Sequence, residues 1–149
     1  MARFFFYGTL LDADVQRLVF GHALAENAIR TAVLEYYRPA RARGEVYPIL
    51  AQRRHARTAG VVVAGLGELD VARLFFYEDD GYETREVSVT LAGHATKSAW
   101  VFIPSRRMVA LPRDWSLAEW QRRHKPQVLP TIVDMMRVFP GPGRLTSFK

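Results

Sequence analysis

The chain has 149 residues, of which 49% are hydrophobic and 24% are charged. This balance is typical of one folded domain and excludes a disordered or fibrous chain. There is no cysteine, which excludes disulfides, thiolate metal sites and thiol nucleophiles. No apolar run approaches the ~20 residues of a membrane span. We therefore expect a cytoplasmic protein without a membrane partner.

The formal net charge is +6, which raises the alternative of a nucleic-acid partner. Against it, the arginines are scattered through the chain, and neither zinc-finger spacing nor an aromatic nucleoprotein motif accompanies them. This favours a generally basic surface over a nucleic-acid interface. The clusters are Arg38, Arg41 and Arg43; Arg53, Arg54 and Arg57; Arg106 and Arg107; Arg122 and Arg123.

The first elements form a strand, a tight turn and a helix. Residues 4–7 are apolar and aromatic, and Gly8 and Thr9 end the predicted strand. Asp12 can cap a helix that ends at Gly21. Further strands are predicted at 31–37, 46–50 and 60–66, with a polar loop at 53–58, and Asp70 is the predicted cap of a helix that leads into the acidic turn 78–81.

The second half of the chain predicts a hairpin and then helices. Val87, Val89 and Leu91 alternate with polar residues, and 99–103 is the predicted partner strand across a turn near Gly93. Ser116 caps one predicted helix, and Pro126 and Pro130 delimit the next. About six strands with few helices predict an α+β fold.

Several familiar sites are excluded by motif. The stretch 65–70 lacks the third glycine of a dinucleotide loop, and there is neither a phosphate loop nor a Gly-x-Ser-x-Gly elbow. The four histidines have no short-range pairing that would form a helical metal site. We therefore expect neither a metal nor a cofactor. The histidines are His22, His55, His94 and His124.

Two features carry possible chemistry. The turn Tyr7-Gly8-Thr9-Leu10 can expose backbone N–H groups to a carboxylate or an oxyanion, although an ordinary strand-to-helix turn has the same pattern. Glu78 directly follows three aromatic residues, where lost hydration would raise its pKa and make it a proton shuttle. The alternative is a solvated acidic turn, as expected for Asp79 and Asp80.

In chain order these features resemble the gamma-glutamylcyclotransferase-like family, which includes the plant avirulence-induced-gene proteins. The resemblance covers about residues 3–103. It rests on the Tyr-Gly-Thr-Leu turn at 7–10, Tyr47-Pro48, the Gly-Val-Val-Val strand at 60–63, Leu74-Phe75-Phe76-Tyr77-Glu78, and Tyr82 with Arg85, Val87 and Val89 on a following strand.

The resemblance implies one α+β domain over 1–149, with a small mixed β-barrel-like sheet flanked by helices. The core would span about 3–103, and a helical extension at about 114–139 would lie outside the family's common core. The implied reaction converts a small gamma-glutamyl substrate to 5-oxoproline and an amine or amino acid. Glu78 would be catalytic, and Tyr7, Gly8, Thr9, Leu10, Tyr47, Tyr82 and Arg85 would bind substrate.

One departure from the family concerns Asp79. Many members have glycine directly after the glutamate, whereas this chain delays its glycine to Gly81. The identity of the amine half of the substrate therefore stays open. The sequence also does not indicate the oligomeric state. Two alternatives to an enzyme also stay open: a non-catalytic ligand-binding or interaction module on the same fold, and a basic nucleic-acid-binding protein.

Overall fold

The computed structural model describes residues 2–79 and 81–142. No helix in this part of the chain is long and apolar enough to cross a membrane. The strands are β1 (Arg3–Phe6), β2 (Ile29–Ala42), β3 (Pro48–Ala64), β4 (Tyr82–Leu91), β5 (Thr96–Pro104) and β6 (Ala110–Asp114). The helices are α1 (Ala13–Phe20), α2 (Glu68–Glu78), α3 (Leu117–Arg123) and α4 (Lys125–Arg137), with short 3₁₀ helices at Thr9–Leu11 and Glu26–Ala28.

Five strands close on themselves into a barrel. The order β3-β1-β5-β4-β2 is completed by pairing of β2 with β3, and β6 extends the sheet from β2. Only the β1–β5 contact is parallel among the described pairings. The α+β prediction of a barrel-like sheet flanked by helices is confirmed.

The alternation of side chains along β1 separates two hydrophobic clusters. Phe5 and Tyr7 belong to a cluster to which all five barrel strands contribute, so this cluster fills the barrel. Phe4 and Phe6 point the other way, into a cluster shared with the four helices. The aromatic opening run therefore packs the barrel and the helical layer at the same time.

Asp12 fixes the start of α1 as the sequence predicts. Its Oδ1 accepts hydrogen bonds from the backbone N–H groups of Asp14 (2.9 Å) and Val15 (3.0 Å). Gly21 ends the helix in the left-handed region, at φ 84°. Asp12 Oδ2 also accepts from Gln121 Nε2 (2.9 Å) and lies 2.8 Å from Lys125 Nζ, which joins this corner to the C-terminal helices.

The predicted polar loop at 53–58 is wrong, because these residues lie inside β3. In the register of β2 with β3, Glu35 faces Arg57 and Tyr37 faces Gln52, so residues 53–56 lie opposite Tyr36 alone. Positive φ angles at Tyr36 (69°) and His55 (66°) accommodate this irregularity. Most of these side chains are exposed to solvent and are polar. The sequence therefore lacks the alternation of apolar and polar residues that identifies a strand.

Two predicted helix boundaries are also wrong. Helix α2 has Gly67 as its N-cap, and Asp70 lies within its first turn, where its carboxylate contacts His22 Nε2 at 2.7 Å. Pro126 and Pro130 do not delimit a helix, because both lie within α4. A proline near the helix start sacrifices no backbone hydrogen bond, whereas Pro130 lacks the N–H that an interior position would donate.

Candidate active site

One cavity of about 250 Å³ lies where the turn at residues 8–11, the end of α2 and the C-terminal helices meet. We call residues 8–11 the opening turn. Aromatic and aliphatic side chains make up most of its wall, with a few polar groups among them. The lining residues are Phe5, Phe6, Tyr7, Gly8, Thr9, Leu10, Val46, Tyr47, Pro48, Tyr77, Glu78, Tyr82, Phe102, Trp120, Val128 and Met135. Seven of the eight residues predicted for the site, all but Arg85, are therefore in its wall.

The opening turn is a single 3₁₀ turn without a side-chain cap at its N-terminus. The N–H groups of Leu11 and Asp12 donate to the carbonyls of Gly8 and Thr9, each at 3.0 Å. The amides of Thr9 and Leu10 precede the first of these bonds and have no acceptor within the turn. Gly8 packs against the ring of Pro48, where an added Cβ would lie 3.1 Å from Pro48 Cγ.

Glu78 is the last residue of α2 and is half-buried. Desolvation by burial raises the pKa of its carboxyl group to about 8. Among the described residues that line the cavity, no other side chain carries a carboxyl or a cationic group. Desolvated surroundings of this kind are what a proton shuttle at neutral pH needs. The role of Glu78 as that shuttle stays a prediction.

Three tyrosines of the cavity wall, Tyr7, Tyr77 and Tyr82, have raised pKa values. Burial is the main cause of the pKa shifts at Tyr7, Tyr77 and Tyr82, and the negative charge of ionised Glu78 adds to each shift. The pKa of Tyr77 rises to about 12. These phenols remain protonated at neutral pH and serve as neutral hydrogen-bond groups. The ring of Tyr47 lies 6.2 Å from that of Tyr82, centroid to centroid.

A hydrogen bond joins the two halves of the site. Thr9 Oγ1 and the hydroxyl of Tyr77 are 3.3 Å apart, which ties the opening turn to the residue before Glu78. The Tyr7 hydroxyl donates to the carbonyl of Phe102 at 3.3 Å. The sequence singled out Tyr77 only as an aromatic neighbour of the acid, and this contact connects it to the opening turn as well.

Asp79, which follows Glu78 where many family members have glycine, has an unusual backbone conformation. Its backbone has φ 59° and ψ −172°, a region that glycine occupies readily and other residues rarely adopt. The chain therefore has an aspartate at a position whose conformation is typical of glycine. Asp79 is exposed, as expected, whereas Asp80 lies outside the described residues.

We predict that Asp79→Gly raises the stability of the protein by about 1 kcal/mol, because it removes the strain on a residue with a Cβ. The control is Asp79→Ala, which removes the charge but keeps the Cβ and so should give no increase. Urea unfolding midpoints measure both variants. Equal midpoints for the glycine and alanine variants would show that backbone strain is not the cause.

Arg85 does not join the cavity that contains Glu78. Its side chain is 57% exposed, its Nη2 lies 3.8 Å from Glu83 Oε1, and it lines a separate cavity of about 180 Å³. Successive side chains of a strand alternate between faces, so Arg85 shares the face of Val87 and Val89, opposite to Tyr82. Because Tyr82 and Arg85 are three residues apart on β4, their side chains point to opposite faces and line different cavities.

Several arginines of the predicted basic clusters are paired with carboxylates. The pairs are Arg38 with Asp114, Arg41 with Glu119, Arg57 with Glu35, and Arg106 with Glu45, at N···O distances of 2.9 to 3.3 Å. These contacts reduce the positive charge that the clusters can offer to a polyanion. The nucleic-acid alternative stays a prediction.

The C-terminal helices supply a wall that the sequence did not indicate. Trp120 of α3 and Val128 and Met135 of α4 line the same cavity as Glu78. Contacts of Gln121 and Lys125 with Asp12 hold these helices beside the opening turn. No periodic pattern links positions more than 100 residues apart, so only the tertiary structure reveals this wall.

A metal site was also sought in the structure. Within residues 2–79 and 81–142, no group of three or more potential metal-ligating side chains lies close enough together to hold a metal ion.

Comparison with solved structures relates this architecture to known folds. Solution structures of two Arabidopsis thaliana proteins superpose on this chain, each with a TM-score of 0.62 and each covering 91% of this chain. The first is 20% identical and is covered over 82% of its own length. The second is 22% identical and is covered over 91% of its own length. A structure described as gamma-glutamyl cyclotransferase superposes with a TM-score of 0.52 at 11% identity, covering 99% of this chain and 93% of that one. These likenesses establish the fold.

A family model supplies the evolutionary relationship. The model described as gamma-glutamyl cyclotransferase, AIG2-like, matches residues 4–122. No curated protein matches the chain. The family match reaches beyond residue 103, where the resemblance in sequence ended, and takes in β6 and most of α3. The resemblance is confirmed, and the chain belongs to the gamma-glutamyl cyclotransferase, AIG2-like family.

Proposed function

We propose that this protein is a cyclotransferase that cleaves a gamma-glutamyl amide by intramolecular aminolysis, releasing 5-oxoproline and an amine or amino acid. The observation that carries the proposal is the carboxyl group of Glu78, desolvated in the wall of a cavity that also contains the opening turn. Membership of the family supports cyclotransferase chemistry in general.

The substrate brings its own nucleophile to this site. The α-amine of a gamma-glutamyl group can attack the γ-carbonyl carbon and close a five-membered ring, so no serine or cysteine nucleophile is required. A C–N bond forms to the α-nitrogen, and the C–N bond to the departing amine breaks. The protein must supply orientation, a proton acceptor and a proton donor.

Glu78 can serve both proton roles in sequence. A pKa of about 8 leaves much of the Glu78 carboxyl group protonated at neutral pH. A bound α-ammonium group would favour the carboxylate, because opposite charges attract strongly in a site of low dielectric. The carboxylate first takes a proton from the ammonium group, which frees the lone pair of the α-nitrogen for attack, and it returns that proton to the departing nitrogen as the C–N bond breaks. The α-nitrogen keeps one hydrogen as the lactam N–H, and the second proton that it loses also passes to the departing amine, which leaves as an ammonium ion.

The opening turn is the proposed binding element for the gamma-glutamyl half. Amides of Thr9 and Leu10 without acceptors in the turn can donate to an oxygen of the substrate. Tyr7, Tyr47 and Tyr82 complete the wall with phenol rings. The hydrogen bond of Thr9 to Tyr77 keeps these donors at a fixed position relative to Glu78.

The proposal is tested with the purified protein and a panel of gamma-glutamyl amino acids, gamma-glutamyl amines and glutathione. We expect stoichiometric 5-oxoproline and free amine from at least one class of substrate. Binding of panel members without turnover would instead favour the non-catalytic module. If no member is turned over or bound, the assignment is wrong.

We predict that kcat/KM rises with pH towards an apparent pKa near 8. The free enzyme must hold Glu78 as a carboxylate to accept the ammonium proton, and burial sets the pKa of this group to about 8. Initial rates at low substrate concentration, measured from below the ordinary glutamate pKa of 4.5 to above 8, give the profile. A rising limb centred near the ordinary glutamate pKa would contradict desolvation of Glu78.

A further inference from the structure

Helix α4 runs along the cavity between the two elements that the proposed mechanism uses. At its first residue, Lys125 Nζ lies 2.8 Å from Oδ2 of Asp12, which directly follows the opening turn. Two residues beyond its end, the ring of Phe139 packs against that of Phe76, with centroids 5.4 Å apart. Phe76 lies two residues before Glu78 in α2. One end of α4 is therefore anchored beside the turn and the other beside the acid.

Two side chains of α4 reach the cavity. Val128 and Met135 are both in its wall, and their spacing of seven residues puts them on one face of the helix. Val46, between β2 and β3, is in the same wall. Val46 and Met135 are 38% and 40% exposed, whereas the other described lining residues are buried or partly buried. These two apolar side chains therefore mark the mouth of the cavity.

The charged side chains next to this mouth are paired with one another. Glu45, which precedes Val46, pairs with Arg106 at 3.1 Å. Asp134 and Arg137, on either side of Met135 along α4, pair at 3.6 Å. Among the described residues in the cavity wall, only Glu78 carries a charged group, and the proposed mechanism already uses it. The mouth therefore offers a ligand apolar surface without a dedicated ionic partner.

We propose that α4 makes this enzyme selective for gamma-glutamyl amides whose amine half is apolar and uncharged. The inference rests on the proposed function, in which the opening turn holds the gamma-glutamyl half and Glu78 protonates the departing nitrogen. The remainder of the amine half then extends from Glu78 past Met135 to the mouth. The family model ends at residue 122, before α4 begins. Family membership therefore does not predict this selectivity.

The physical basis is the difference in desolvation between apolar and charged groups. An alkyl or aromatic group at the mouth gains free energy by burying surface against Val46, Val128 and Met135. A carboxylate or an ammonium group in the same place loses hydration and gains no ion pair from these side chains. Gamma-glutamyl amides of apolar amines should therefore react faster than charged analogues of the same length.

The experiment compares three substrates of the full-length protein. They are gamma-glutamyl-n-pentylamide and its two analogues in which a carboxylate or an ammonium group replaces the terminal methyl group. Release of 5-oxoproline gives kcat/KM for each. We expect the pentylamide to exceed both analogues by at least about tenfold, the lower end of what a hydrophobic pocket achieves for a small apolar group.

The outcomes separate this inference from the proposed function. A kcat/KM for either charged analogue that equals or exceeds that of the pentylamide would overturn the inference, as would turnover of gamma-glutamyl amino acids or glutathione alone. The proposed function would then stand. If no gamma-glutamyl compound releases 5-oxoproline, the proposed function fails as well.

A charge placed at the mouth gives an independent test. Met135→Lys should lower the preference for the pentylamide over the carboxylate analogue by about tenfold, because the lysine removes apolar contact and attracts the carboxylate. Val133→Lys is the matched control, since Val133 is exposed on the same helix but lines a separate groove with Leu18. It should leave the preference unchanged. An unchanged preference in a folded Met135→Lys protein, or equal changes in both variants, would contradict contact of Met135 with the amine half. The comparison of substrates on the wild type decides the matter if Met135→Lys does not fold.

Discussion

Glu78→Gln should fold and should lose release of 5-oxoproline by at least about a hundredfold. An amide of nearly the same shape cannot accept the ammonium proton or return a proton to the departing amine, and general acid–base groups are typically worth about 10² to 10⁴ in rate. The variant and the wild type are compared at saturating concentration of the best substrate from the panel. Glu83→Gln is the matched control, because Glu83 is exposed on β4 and should be dispensable.

Stability measurements separate this effect from misfolding. Because burial raises the pKa of Glu78 from 4.5 to about 8 in the folded protein, ionisation opposes folding, and the wild type loses stability as pH rises between these values. The glutamine variant has no such loss. It should therefore be at least as stable as the wild type at pH 8. A folded Glu78→Gln protein with wild-type turnover would remove Glu78 from the mechanism and favour a different reaction.

Gly60→Ala should strongly destabilise the fold. Gly60 lies on β3, where an added Cβ would overlap the carbonyl oxygen of Phe6 and lie 2.8 Å from the ring of Phe5. Neither neighbour can yield, because the first is backbone in β1 and the second is buried in the barrel. We expect destabilisation of about 3 kcal/mol or more, or failure to fold.

Gly81→Ala is the control for this prediction. An added Cβ at Gly81 would meet no atom within 4 Å, so stability should change by less than about 0.5 kcal/mol. Urea unfolding and the yield of folded protein measure both variants. Equal stability of Gly60→Ala and the wild type would show that β1 does not cross β3 as closely as the structure has it.

The sequence predicted most of the fold where local chemistry determines it. Asp12 and Gly21 bound α1 because a capping carboxylate and a left-handed glycine act within one helical turn. The alternation of Val87, Val89 and Leu91 identified β4 because one face of this strand is buried. Residues 53–58 were mistaken for a loop because solvent reaches both faces of that part of the β2–β3 ribbon.

The site was predictable only where its residues lie in short motifs. Tyr7, Gly8, Thr9, Leu10 and Glu78 belong to such motifs, and all five line one cavity. Arg85 does not line this cavity, because strand alternation puts its side chain on the face opposite to Tyr82. Trp120 could not be linked to the opening turn, because the link is a tertiary contact of Gln121 with Asp12.

The central claim is that the substrate's own amine, and not water, attacks the γ-carbonyl group. We would measure the products of one gamma-glutamyl substrate in ¹⁸O-labelled water by mass spectrometry. Intramolecular aminolysis predicts 5-oxoproline that contains no ¹⁸O, with one free amine for each ring formed. Glutamate carrying one ¹⁸O atom in its γ-carboxylate would contradict the account, because it requires a hydrolytic reaction.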